Sequence, residues 1–200
     1  MDKRIILTDK NFIARGGERD CYLHPFDSTK VVKVLYKTYG TNRDQNELEY
    51  MYLNFLEKSQ VPFTHIAKCF GYADTNLGKA LVFDKVFNYT GEISTSFRDM
   101  IMQGLLDYKM QDVLVKELKE YLFKNNILFV DCGLHNILVQ EYEHKKYRLI
   151  VIDGLGGRRI GWRFYLYLKS KLFTKYKIKK QWYKFIDNVN LKRMQHLNNG

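Results

Sequence analysis

The sequence is poor in the residues that interrupt or cross-link a chain. Its 200 residues include only two prolines and three cysteines, and 13 glycines are few for a linker-rich protein. With 46% hydrophobic and 15% aromatic residues, the composition favours one compact folded unit instead. The cysteines, Cys21, Cys69 and Cys132, are odd in number and widely spaced, which fits neither a disulfide framework nor a CxxC-type metal or redox site.

Long apolar runs are missing as well. No window of the sequence approaches the roughly 18 apolar residues that a membrane span needs. The apolar run near the N-terminus, Ile5 to Leu7, is too short for the core of a signal peptide. These absences predict a cytoplasmic protein and leave attachment to the inner face of a membrane open.

Acidic residues are nearly absent from the C-terminal quarter. From Met1 to Asp153 the sequence has 21 basic and 21 acidic residues, whereas from Gly154 to Gly200 it has 12 basic residues and one acid, Asp187. The net charge of +11 therefore arises entirely in the last 47 positions. Ten of these basic residues are interleaved with aromatic residues: Arg158, Arg159, Arg163, Lys169, Lys171, Lys175, Lys177, Lys179, Lys180 and Lys184.

This basic and aromatic segment has three interpretations. Two terminal helices could pack their aromatic residues on the core and expose a solvated basic face. The segment from Arg158 to Lys184 could instead bind an anionic lipid surface or a phosphorylated acceptor. Nucleic-acid binding is the least favoured, because no helix-turn-helix, zinc-finger or RNP signature accompanies the charge.

The order of apolar patterns predicts an α+β protein in two lobes. Helices are predicted over residues 43–58 and from about residue 94 to residue 124, followed by further helices after residue 157. The predicted strands cover residues 5–14, 21–24, 31–36, 66–72, 80–86, 127–130, 137–139 and 147–152. A boundary near residue 88 divides an N-terminal lobe, residues 1–88, from a mainly helical C-terminal lobe, residues 89–200.

Three polar residues follow apolar runs in the C-terminal half. Asp131 and Asn136 lie five positions apart in VDCGLHNILV, and a later strand ends at Asp153. Phosphoryl transfer needs such a set, in which one carboxylate orients a hydroxyl while an amide and a second carboxylate hold Mg²⁺ against the phosphates. Taken alone, the spacing of Asp131 and Asn136 is explained equally well by a turn with a capping side chain.

Lys33 lies within an apolar strand, VVKVL, at residues 31–35. A lysine in such a run is either an edge-strand charge that faces water or a phosphate ligand with an acidic partner. The next helix offers Glu47 and Glu49 as that partner. They flank its apolar stripe on opposite sides, so helical periodicity does not choose between them.

Taken together, these motifs resemble the protein kinase-like superfamily, and within it the small bacterial YrbL family of PhoP regulatory network proteins. The run RGGERDCYLHP at residues 15–25 resembles the family's glycine turn and Cys-Tyr-x-His-Pro motif, and residues 31–36 resemble its lysine strand. The opening of its helix resembles NELEY at residues 46–50, and the exit of its loop resembles NIL at residues 136–138. The similarity extends from about Phe12 to Ile186.

The resemblance implies a kinase-like two-lobed fold with a shortened C-lobe, and ATP and Mg²⁺ as cofactors. Lys33 would bind the α- and β-phosphates, and the resemblance selects Glu47 over Glu49 as its partner. The remaining roles that it implies are the nucleotide loop for Gly16 and Gly17, the metal for Asn136 and Asp153, and the acceptor for Asp131. The expected function is phosphoryl transfer to a hydroxyl of a small, acidic or lipid-linked acceptor.

The sequence also departs from the usual kinase motifs. Only Gly16 and Gly17 remain of the glycine-rich loop, Phe129 and Val130 stand where kinases have His-Arg, and Leu155 replaces the phenylalanine that follows Asp-Gly. These departures motivate an alternative, a pseudokinase whose nucleotide pocket serves regulation without turnover.

Overall fold

The computed structural model describes residues 4–37 and 44–199. Its strands are β1 (Phe12–Arg15), β2 (Arg19–Leu23), β3 (Lys30–Leu35), β4 (Cys69–Thr75), β5 (Gly78–Asp84), β6 (Thr95–Ser96), β7 (Ile137–Glu143) and β8 (Lys146–Val151). Its α-helices are α1 (Gln45–Lys58), α2 (Phe97–Met102), α3 (Tyr108–Lys124), α4 (Trp162–Lys169) and α5 (Lys171–Asn199). The predicted α+β class is confirmed, because a strand-rich part is followed by a mainly helical part.

Five antiparallel strands form the N-terminal sheet in the order β1-β2-β3-β5-β4. Strand β3 is paired on both sides, with Lys33 opposite Cys21 of β2 and Leu81 of β5. The edge-strand interpretation of Lys33 is therefore wrong. Two of the predicted strands are also shorter or less regular than expected. Of residues 5–14 only the last three belong to β1, and of residues 127–130 only Phe129 pairs, with Leu155.

Helix α1 packs its apolar stripe on the sheet and joins it to the C-terminal part. Asp44 caps its first turn by accepting a hydrogen bond from the Glu47 amide at 2.9 Å, and Leu48, Tyr52 and Leu56 are buried below it. The Tyr52 hydroxyl accepts a hydrogen bond from the Leu128 amide at 2.8 Å. Helix α1 thereby holds the chain three residues before Asp131. The first residue of the predicted helix, residue 43, lies outside the described residues.

The C-terminal part combines a three-stranded sheet, β6-β7-β8, with helices α2 to α5. Leu114, Leu118 and Leu122 of α3 fall at the predicted helical spacing and are buried. One cluster of buried apolar side chains includes residues from both parts, such as Leu81 and Phe129. The lobe boundary near residue 88 stays a prediction. No helix within the described residues is long and apolar enough to cross a membrane.

Candidate functional site

The loop at residues 131–136 and the turn at residues 153–154 lie against each other. The amides of Val130 and Asp131 donate to the Gly154 carbonyl oxygen at 2.8 and 3.1 Å, and the Ile152 amide donates to the Asn136 carbonyl oxygen at 2.9 Å. Backbone hydrogen bonds therefore place Asp131, Asn136 and Asp153 in one region, as the apolar runs before them predicted.

The turn can approach the loop this closely because Gly154 has no side chain. Its φ is +83°, a left-handed conformation that side-chain-bearing residues rarely adopt. A Cβ atom added at Gly154 would lie 2.8 Å from the Asp131 carbonyl oxygen and 2.9 Å from the Asp131 Cβ. The Asp-Gly sequence at residues 153–154 thus allows the loop to pack closely against this turn.

Asn136 is buried and fixes the position of Asp131. Its Nδ2 donates to the Asp131 carbonyl oxygen at 3.0 Å and to Asp131 Oδ2 at 3.1 Å. The Asp131 side chain stays exposed beside it. These bonds are those of the turn-and-cap alternative, and they also leave a carboxylate where an acceptor hydroxyl can reach it.

Lys33 points from the centre of the N-terminal sheet towards the end of β8. Its Nζ donates to the Ile152 carbonyl oxygen at 2.5 Å and lies 4.0 Å from Asp153 Oδ2. The amine also lies 4.3 Å from the centre of the Phe83 ring. Lys33 and Asp153 therefore lie within salt-bridge distance of each other.

Arg19 of β2 is the central cation of the site, and the sequence reasoning missed it. Its guanidinium lies 2.5 Å from Glu49 Oε2 and 2.6 Å from Asp153 Oδ2, and it donates to Asn46 Oδ1 at 3.2 Å. The side chains of Arg19 and Glu49 are 5% and 2% exposed. Strand alternation contained the signal, because Arg19 and Cys21 share a face of β2 and Cys21 pairs with Lys33.

Glu47 does not join this cluster, which corrects the choice that the resemblance implied. Glu47 is exposed in the first turn of α1, and its amide is bound by the capping side chain of Asp44. Glu49, two positions later and so turned by about 200°, is buried instead. The acidic residue of α1 pairs with Arg19, and the carboxylate within reach of Lys33 belongs to Asp153.

Gly16 and Gly17 form the turn between β1 and β2. The Gly16 amide donates to the Arg19 carbonyl oxygen at 2.8 Å, and the Tyr36 hydroxyl donates to the carbonyl oxygens of both glycines. The Gly16 amide is therefore engaged within the turn. A role of the two glycines in binding nucleotide stays a prediction.

The electrostatics of the site favour ionised groups. Burial opposes ionisation of Asp153, but Arg19 and Lys33 hold its pKa well below the ordinary value. Burial would likewise lower the pKa of Arg19, yet Asp153 and Glu49 raise it. The Asp153 side chain is 32% exposed, so this carboxylate can be reached from solvent.

The donor atoms at residues 136 and 153 suit Mg²⁺, which prefers oxygen ligands and usually binds one or two carboxylates besides phosphates and water. Both Nδ2 bonds of Asn136 run to Asp131, so its amide oxygen is not engaged by the described residues. Asp153 accepts hydrogen bonds from the Gly154 amide and from Arg19. Among the described residues no group of three or more His, Cys, Asp or Glu side chains could hold a metal.

The basic segment from Arg158 to Lys184 spans helices α4 and α5. Its buried aromatic residues, Phe164, Trp182 and Phe185, pack on the core as the solvated-face interpretation expects. Trp162 and Tyr176, in contrast, are 70% and 68% exposed. Of the ten basic residues nine are exposed and Lys177 is half-buried. This surface therefore presents aromatic rings together with positive charge to the solvent.

Comparison with known proteins identifies a family and two similar proteins. A family model described as PhoP regulatory network protein YrbL matches residues 5–190. The uncharacterized protein YrbL of Escherichia coli (strain K12) and that of Shigella flexneri are each 24% identical over 154 residues, which cover 76% of this chain and 73% of theirs.

A solved structure, the pseudokinase domain of BIR2, an immune regulator of the RLK/Pelle family, matches with a TM-score of 0.46 and 18% identity. That match covers 74% of this chain and 43% of the solved chain. Because the family model spans nearly the whole sequence, from residue 5 to residue 190, the chain belongs to the YrbL family of PhoP regulatory network proteins.

Proposed function

We propose that the protein is an ATP- and Mg²⁺-dependent phosphotransferase that acts on a hydroxyl group. The observation that carries this proposal is the meeting of Lys33 with the turn at Asp153, against which the loop of Asp131 and Asn136 is packed. A lysine, two potential metal ligands and an exposed carboxylate are the groups that phosphoryl transfer employs.

Each residue has a role in this proposal. Lys33 would exchange the Ile152 carbonyl oxygen for the α- and β-phosphates, and Asn136 and Asp153 would hold Mg²⁺, which neutralises charge on the phosphates when bound. Asp131 accepts the proton of the acceptor hydroxyl while the hydroxyl oxygen bonds to the γ-phosphorus. The bond to the β-phosphate oxygen breaks, its electron pair leaves with ADP, and a phosphate monoester forms.

A second candidate, nucleotide binding for regulation without turnover, is favoured by the ion pair between Arg19 and Asp153. An arginine at this point neutralises the carboxylate that would hold the metal. Guanidinium groups also bind phosphates directly. ATP could therefore bind through Arg19 and Lys33 without Mg²⁺.

The exposed basic segment is the basis of a further proposal, which concerns the partners and the location of the protein. We propose that the stretch from Arg158 to Lys184 engages an anionic partner, either a phosphorylated acceptor or an anionic lipid at the inner face of the membrane. Its exposed rings and charges support this, since each basic residue at an anionic surface contributes about 1 kcal/mol. Sedimentation with neutral and phosphatidylserine vesicles, at low and high salt, tests the lipid arm. Equal partition onto both vesicles would contradict it.

Nucleotide binding and ADP release test the main proposal and separate it from the alternative. ATP should raise the melting temperature more with Mg²⁺ than without, because a ligand that binds only the folded state stabilises it. Asp131→Asn should lower ADP release by about 10²-fold or more, as loss of a general base does, with ATP affinity unchanged.

Asp9→Asn, at an exposed position far along the chain from the loop, is the matched control and should leave both readouts unchanged. Asp153→Asn should remove the Mg²⁺ dependence of binding. Binding of Mg·ATP with no ADP release above that of Asp131→Asn would replace the phosphotransferase by the regulatory function.

A further inference from the structure

A groove of about 300 Å³ opens directly beside Asp131. One side is the loop at residues 130–133, and the other is formed by Arg158 and by Lys184, Asp187 and Asn188 of α5. This volume is at the lower end of the range for small-molecule sites, which suits a ligand of about the size of a single sugar ring.

Helix α5 holds this groove in a fixed shape. Asn188 Nδ2 donates to the Cys132 carbonyl oxygen at 2.9 Å, and Gln181 Nε2 donates to the Val130 carbonyl oxygen at 3.2 Å. Both bonds join α5 to the backbone that flanks Asp131. The basic side chains of α5 are therefore attached to a frame that includes the candidate catalytic carboxylate.

Two cations, Arg158 and Lys184, line the groove. Arg158 and Lys184 are exposed, and neither forms an ion pair with any carboxylate of residues 4–37 and 44–199. Lys177 lies two turns before Lys184 on α5, and burial followed by repulsion from Lys184, Lys180 and Arg158 lowers its pKa. Arg158 and Lys184 both line the groove, so both cations border the space that one anion would occupy.

Two carboxylates, Asp131 and Asp187, also line the groove. Neither compensates the cations by contact, since no ion pair within the described part of the chain involves them. A carboxylate accepts hydrogen bonds from hydroxyl groups. The groove thus offers cations for an anionic group and acceptors for hydroxyl groups at the same time.

Resting on the proposed function, we infer that the groove binds a phosphate group that the acceptor already carries, with Arg158 and Lys184 as its ligands. Arginine and lysine together bind phosphate through charge-assisted hydrogen bonds. A hydroxyl of the same small molecule then faces Asp131. Transfer of the γ-phosphoryl group to that hydroxyl gives a bisphosphorylated product and ADP, and the hydroxyl proton passes to Asp131.

The test uses binding, which does not depend on turnover. Glucose 6-phosphate and glucose are titrated by calorimetry into the wild-type chain and into Arg158→Gln/Lys184→Gln. Phosphatidic acid vesicles form a second arm, because the phosphate could belong to a soluble molecule or to a lipid headgroup. Lys109→Gln/Lys116→Gln removes the same charge from exposed positions of α3, outside both the groove and the basic segment, and is the matched control.

We expect the groove variant to weaken binding of glucose 6-phosphate or of the vesicles by roughly tenfold or more, since it removes two charge-assisted hydrogen-bond donors to the phosphate. The control variant should stay within about threefold of wild type. The arm that binds identifies the source of the phosphate. Equal weakening by both variants, or no phosphate-dependent binding in either arm, would overturn the inference. A melting-temperature shift with Mg·ATP, measured on the same samples, reports the proposed function separately.

Discussion

Arg19 Nη2 lies 2.6 Å from Asp153 Oδ2, although 134 residues separate them along the chain. The same guanidinium contacts Glu49, so one buried side chain joins β2, helix α1 and the turn that follows β8. This ion pair connects the N-terminal sheet to the site of the proposed chemistry. We expect this ion pair to stabilise the fold and to compete with Mg²⁺ for the Asp153 carboxylate.

Arg19→Met should destabilise the protein by about 3–5 kcal/mol, because it leaves Glu49 as an uncompensated buried charge. Arg19→Met/Glu49→Met should recover much of that loss, since apolar pairs of similar volume often replace buried ion pairs at little cost. Urea denaturation measures both. Arg98→Met is the matched control, because the side chains of Arg98 and its partner Asp99 are 46% and 36% exposed. A control loss as large as that of Arg19→Met would contradict the prediction.

Gly154→Ala should destabilise the protein by about 1–3 kcal/mol more than Gly91→Ala. Both glycines have a positive φ, +83° and +92°, so the backbone strain of alanine is shared. A Cβ at Gly91 meets nothing within 4 Å, whereas one at Gly154 would collide with the Asp131 backbone. Equal losses of stability in Gly154→Ala and Gly91→Ala, measured by thermal or urea denaturation, would contradict this prediction. They would show that the loop moves aside without cost.

The sequence identified the residues whose position depends on local pattern. Asp131 and Asp153 each follow an apolar stretch, and Phe129, before Asp131, pairs with Leu155, after Asp153. Because the apolar residues must be buried, the polar residues at the ends of these stretches have to emerge in the same region. For Lys33 the sequence left the edge-strand alternative open, and the pairing of β3 on both sides in the structure excluded it.

The rest depends on contacts that no local pattern reports. Which face of α1 meets Arg19 is decided by the docking of that helix, so Glu47 and Glu49 were equivalent until the structure placed Glu49 inside. The groove beside Asp131 is likewise assembled by α5, where Asn188 reaches Cys132 across 56 residues. Strand propensity also overestimated residues 5–14, where residues 9–11 form a single 3-10 turn instead.

His65 should make the stability of the protein depend on pH in mildly acidic solution. Its Nδ1 donates to the Leu149 carbonyl oxygen at 2.8 Å, and burial lowers its pKa. The unfolded chain, with a histidine pKa of about 6.5, therefore binds a proton more readily than the folded chain does. Stability is full above that value and falls as the pH drops through it.

His65→Gln keeps a donor for Leu149 and should lose less stability than wild type between about pH 7.5 and pH 5.5, a window that brackets the ordinary histidine pKa. Urea denaturation at both pH values gives the comparison. Identical losses in the two proteins would assign the pH dependence to other groups, such as His24, whose pKa burial also lowers.

The last prediction concerns competition between Arg19 and Mg²⁺ for Asp153. In the phosphotransferase proposal, Arg19 must share or release the Asp153 carboxylate before the metal binds. Removing the guanidinium should then increase the factor by which Mg²⁺ strengthens ATP binding.

Arg19→Gln/Glu49→Gln removes both buried charges together and so avoids an unpaired glutamate. Calorimetric ATP titrations with and without Mg²⁺ should show that factor rise by roughly tenfold, since a cation in contact with a carboxylate changes its affinity for another cation by at least that much. Glu49→Gln alone, which keeps Arg19 on Asp153, should not raise it. Weaker ATP binding by the double variant both with and without Mg²⁺ would mean that Arg19 contacts the phosphates, and the regulatory function would then be the better account.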